Sequence, residues 1–138
     1  MGIPTLITTN THAVGSSVTT SAFTSGIDST YDEYMFVFTD INPDTDNTLF
    51  RFQVNQAGLS GYNEVIQSSW FQAYHREDDS STPAGPEYDT GGDQALGTSG
   101  QYISSNIGNG ADECAAGILH IFSPSNTTYA KQFYSRSN

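Results

Sequence analysis

An all-β fold, a sandwich or a barrel, is what this sequence predicts. No segment of ten or more residues places apolar side chains at helical spacing. Several runs instead alternate apolar and polar residues with the two-residue period of a half-buried strand. Gly, Pro, Asn and Asp clusters separate those runs as turns do. A chain of 138 residues suits one domain, residues 1–138, able to bury about two-thirds of its unfolded surface. Only 36% of the residues are hydrophobic, so the core depends on eight Phe and eight Tyr where aliphatic side chains are scarce.

Residues 1–22 read as an N-terminal arm with two short strands, Leu6–Thr9 and the start of Val14–Phe23, both rich in Thr and β-branched residues. Ser25–Ser29 is a turn. It leads into Tyr31–Asn55, two strands joined by the acidic turn Asn42-Pro43-Asp44-Thr45-Asp46-Asn47. In the first strand Tyr34, Phe36 and Phe38 share one face and Met35, Val37 and Thr39 the other. Apolar side chains on both faces predict a central strand covered on both sides. In the second, Phe50, Phe52 and Val54 oppose Leu49, Arg51, Gln53 and Asn55.

Gln56–Tyr62 is a glycine-punctuated loop, and Ser68–Arg76 a strand with Trp70, Gln72 and Tyr74 opposite Phe71, Ala73 and His75. Glu77-Asp78-Asp79 closes it. A long Gly- and Pro-rich loop over residues 80–110 follows, with a short strand at Tyr102-Ile103 and Ile107. Loops of that length are functional, mobile or clamped by a partner. Glu113–Ser123 is a strong strand, Ile118, His120 and Phe122 against Leu119 and Ile121; Pro124-Ser125-Asn126 turns the chain, and Thr127–Ser135 is the last strand.

The formal net charge is −11, with Arg51, Arg76, Lys131 and Arg136 as the only Lys or Arg. Nothing there can neutralise a phosphate backbone or an anionic bilayer, which excludes nucleic acid and acidic membranes as partners. Such a charge costs less in a salty medium, where the Debye length falls to about 3 Å at 1 M. No apolar run nears the roughly 18 residues of a membrane-spanning helix, and Met1–Thr5 lacks the features of a signal peptide. The single cysteine, Cys114, cannot form an intrachain disulfide and reads as a small buried hydrophobe.

Motifs for chemistry are missing. Asp44–Thr48 spaces oxygens like a calcium loop, but the sixth position is Leu49 and the twelfth Asn55, where that loop needs Gly and Glu. His12, His75 and His120 lie far apart and no HxH, HxxxH or CxxC occurs, so no metal site is expected. His120, mid-strand, reads as a hydrogen-bonded core or interface histidine. The carboxylates cluster in turns, as solvated charges do, and no nucleophile elbow or phosphate-binding glycine motif is present. No catalytic residue and no cofactor are expected. Trp70 and Tyr74, beside Gln72, together with Tyr88 and Tyr102 in the long loop, are the candidates for stacking on a glycan or meeting a partner. Core packing is the competing use of Trp70.

Several stretches carry a family resemblance: Phe23–Tyr34 (FTSGIDSTYDEY), Ile41–Asn47 (INPDTDN), Trp70–His75 (WFQAYH), Gly117–Pro124 (GILHIFSP) and Phe133–Arg136 (FYSR). Over residues 23–136 the chain resembles virion structural proteins of marine tailed bacteriophages. The resemblance implies an antiparallel jelly-roll-like β-sandwich, used as a capsid decoration or as a tail or fibre component on the exterior of the particle. It implies no catalytic residues. Partners would be other virion proteins and copies of the chain itself, with a trimer as the expected homo-oligomer. Those proteins run on into further strands, so this chain reads as a shorter variant or an N-terminal piece whose open sheet edge needs a partner. The alternative from a different class is a carbohydrate-binding module or fibre-tip lectin for host surface glycans. A glycan-degrading enzyme ranks third.

Overall fold

The computed structural model describes residues 3–13, 15–74 and 86–138. Among these there is no helix. The strands are β1 (Glu33–Ile41), β2 (Thr48–Phe52), β3 (Ile66–Gln67), β4 (Phe71–Gln72), β5 (Glu87–Tyr88), β6 (Ala95–Gly97), β7 (Gln101–Ile107), β8 (Ala115–Phe122) and β9 (Gln132–Ser137). Every pairing is antiparallel. The predicted all-β class is therefore the observed one. His75, Arg76, the acidic run Glu77–Asp79 and the first part of the long loop lie outside the described residues.

The chain gathers into two compact units, Met1–Asp46 with Gly108–Asn138, and Asn47–Ile107. In the first, β8 is the central strand, with β1 on one side and β9 on the other. β-Branched and aromatic residues favour this pleated surface, and Gly117 admits β9 closely: a Cβ there would lie 2.8 Å from the Arg136 carbonyl oxygen. The buried face holds Tyr34, Ala115, Leu119 and Ile121. Phe36 is paired with Leu119 and packs edge-on against Phe23 at 5.4 Å. The Tyr34 hydroxyl reaches back to the 28–30 turn, accepting from the Asp28 backbone N–H at 3.0 Å. The Asp28 carboxylate also accepts from the Thr30 N–H at 2.8 Å. Donors from Thr30, then the Tyr34 hydroxyl, hold the Asp28 carboxyl below the usual carboxylate range. The stability this contributes is present above the unfolded-state pKa and is lost as pH falls through the depressed one.

Several sequence expectations change in this unit. The first strand, β1, is an outer strand and not a central one, and it is not covered on both faces: Met35 is 45% and Val37 60% exposed. Apolar alternation marks what wants cover without saying whether the same chain supplies it. β1 pairs with β8, and β2 with β7. The acidic turn is tied elsewhere. Asn42 donates to the carbonyls of Glu113 at 3.0 Å and Gly110 at 3.4 Å, and Asn109 donates to the Asp44 carbonyl at 3.3 Å. These bonds dock 42–44 on the 109–113 turn. Finally, no strand forms in residues 3–13 or 15–23. Their Thr- and Ser-rich sequence buries little, and Ile3 and Leu6 are exposed.

The last strand starts later than its alternation suggests. Asn126 accepts from the backbone N–H groups of Thr128 at 2.7 Å and Tyr129 at 3.1 Å, and Lys131 caps the carbonyls of Asn126 and Tyr129, so the turn runs to Lys131. Cys114, expected to be buried, is exposed in the turn before β8.

The second unit is built from two-stranded ribbons, β2–β7, β3–β6 and β4–β5. Ile66, Ile103 and Ile107 are the buried apolar residues among those described in it. The Gln53 amide ties the ribbons together, donating to the Glu64 and Thr98 carbonyls at 3.0 Å each. Residues 86–110 carry three strands, β5, β6 and β7. Two- and three-residue strands are too short for a period to show, so only β7 was legible.

Candidate functional site

All four candidate contact residues fall in the second unit, and Trp70, Tyr88 and Tyr102 gather around the turn that follows β5. The Asp89 carboxylate accepts from the Gly91 N–H at 2.7 Å, and the Asp89 carbonyl accepts from the Gly92 N–H at 3.1 Å, closing a tight turn. Trp70 lies over that turn. A Cβ on Gly92 would come within 2.4 Å of the indole, so only glycine permits this approach. The indole meets Tyr102 edge-on at 5.9 Å, and the Arg51 guanidinium sits over Tyr102 at 5.0 Å, a cation–π contact.

Gln101, 2% exposed, locks the arrangement from beneath. Its amide donates to the Gly92 carbonyl at 2.8 Å, and its side-chain oxygen accepts from the Ser68 hydroxyl. Ser68 in turn accepts from the Gln94 N–H at 2.9 Å. Trp70 and Tyr102 are thus half-buried supports and not an open platform.

The open rings are Tyr88, Tyr74 and Phe71. Tyr88 and Phe71 are cross-strand partners on the β4–β5 ribbon, their rings 5.4 Å apart and tilted, with Phe71 65% exposed. The Tyr88 hydroxyl donates to Asp93, and that bond raises the phenol above its ordinary pKa. Tyr74, the last residue described before position 86, is also exposed. Sequence reasoning missed Phe71. Its signal was available: in an alternating strand, a packed Trp70 puts Phe71 outside. Among the described residues, no group of three or more His, Cys, Asp or Glu side chains is placed to hold a metal ion.

A second surface lies in the first unit, on the face of the β1–β8–β9 sheet opposite its core. Register places nine side chains on it in three rows: Glu33, Phe122 and Gln132; Met35, His120 and Tyr134; Val37, Ile118 and Arg136. Met35, Val37, Ile118, Phe122 and Tyr134 are all exposed. An antiparallel sheet with one solvated face normally carries polar side chains there; this one is mostly apolar. At its centre His120 stacks on Phe122 at 6.3 Å, lies against Tyr134 at 5.7 Å and faces Glu33 Oε1 across 2.6 Å. An ionised carboxylate only accepts, so the imidazole Nδ1–H is the donor.

Comparison with protein-family models, with curated proteins and with solved structures found no match.

Proposed function

We propose that this chain is a non-enzymatic virion structural protein, a jelly-roll-like β-sandwich module on the exterior of a phage particle. It serves as a capsid decoration or as a tail or fibre component and acts by packing against copies of itself and other virion proteins. The observation that supports this reading is the open apolar face of the β1–β8–β9 sheet. Five large apolar side chains on one sheet face mark a surface made to be covered. The acidic residues on the rest of the chain then keep particles soluble and apart. Mass spectrometry of density-purified particles made from the genome that encodes this chain tests the role. The chain is expected among the abundant structural proteins; finding it only in the soluble lysate would overturn the proposal.

A second reading, recognition of host surface glycans, is favoured by the exposed Phe71–Tyr88 pair. Two rings side by side on a ribbon, beside the carboxylates of Asp89 and Asp93, suit the apolar face and hydroxyl groups of a sugar. Under this reading Phe71→Ala abolishes binding on a glycan array while the circular dichroism spectrum stays unchanged. No binding by the wild-type chain would remove the reading.

A further inference from the structure

We infer that the open face of the β1–β8–β9 sheet pairs with the same face of a second copy about a two-fold axis, Glu33 of each copy meeting Arg136 of the other. This rests on the packing role proposed above and names the partner of that surface.

Charge distribution is the first argument. The chain carries 15 acidic residues and four Lys or Arg. The nine-residue face holds one of each, Glu33 and Arg136, so 15 − 1 = 14 acids lie elsewhere. Two chains of net charge −11 repel at most orientations. This face is locally neutral, and depletion of charge is the compositional mark of an interface core.

Self-complementarity is the second. Glu33 and Arg136 stand at diagonally opposite corners of the three-by-three array. A two-fold axis lying in the contact plane, perpendicular to that diagonal, lays each Glu33 over the other copy's Arg136, twice by symmetry. The same operation sets Tyr134 near Phe122 and Met35 near Ile118, aromatic on aromatic and aliphatic on aliphatic. With strands about 4.8 Å apart and a two-residue repeat of about 6.8 Å, the strands of the two sheets cross at about 70°, near the orthogonal class of sheet packing.

Size sets the strength. Three strands by five residues give a footprint of roughly 250 Å² per copy from the same spacings, well under the ~800 Å² per partner of a standard interface. The pair is weak in free solution and gains by being displayed in many copies.

Sedimentation velocity of the full chain, carried to about 1 mM, tests the pairing. Wild type forms a dimer in a concentration-dependent way. Glu33→Arg alone and Arg136→Glu alone each raise the concentration at half-dimerisation at least about tenfold, because each sets two like-charge contacts across the pair. An equimolar mixture of the two variants restores the dimer, because each then meets the charge it lacks. That restoration also shows that both variants are folded. A wild-type chain that stays monomeric, a trimer, single variants that dimerise like wild type, or a mixture no more dimeric than its components would each overturn the pairing. A monomer still found on particles sinks this inference and leaves the packing role standing; a dimer absent from particles does the reverse.

Discussion

Leu119→Ala is expected to lower stability by about 3 kcal/mol, within the range for emptying a well-packed leucine site. Leu119 is 3% exposed and lies on the middle strand of its sheet, opposite Phe36 on one side and Ser135 on the other. Only Tyr34, Ala115 and Ile121 join it among the buried apolar residues described in that unit. A core so small has few side chains that can slide into the void. The natural control is one residue away: Ile118→Ala, on the open face, is expected to cost less than about 1 kcal/mol, as truncations away from the core do. Urea unfolding of both variants is the measurement, read as a fall in midpoint at constant slope. Equal losses would mean that the two faces of β8 are equally buried in the free chain.

The second large effect is expected at Gln101. Replacing it with Leu keeps the volume and removes the amide. The carbonyl of buried Gly92 and the hydroxyl of half-buried Ser68 then lose their partner, and an orphaned buried group costs about 1–3 kcal/mol. A loss of about 1–3 kcal/mol follows. Because Gly92 carries the indole of Trp70, the loosened turn also exposes that ring. The chain has one tryptophan, so a red shift in its fluorescence before global unfolding reports this site alone. A variant as stable as wild type, with unshifted emission, would show that the network does not hold the turn.

Much of the fold was legible because alternation survives where one face is buried. The Ile118/Leu119/His120/Ile121 pattern placed β8; of the reading of His120 as a hydrogen-bonded core or interface histidine, the hydrogen bond is seen, to Glu33, and the ring lies on the face opposite the core. What alternation does not encode is who covers a face. Met35 and Val37 read as core because they are apolar, yet they face outward in the free chain. Nor does it encode pairing across distance. β1 finds its partner some eighty residues along the chain, and the side chain of Asn42 ties the acidic turn to carbonyls at 110 and 113, next to that partner. In the candidate site, Trp70, Tyr88 and Tyr102 do gather at one turn, but Gly92 and Gln101 join them for reasons of space and hydrogen bonding that no motif announces. Phe71 was hidden because a phenylalanine in a strand is ordinarily core.

Cryo-electron microscopy of the intact particle is the most direct test of the proposal that this chain acts by packing in a virion. The expected map shows the chain in many copies, with protein density lying against Met35, Val37, Phe122 and Tyr134 in each. A sheet that faces bare solvent in every copy, or a particle with no place for the chain at all, would contradict it.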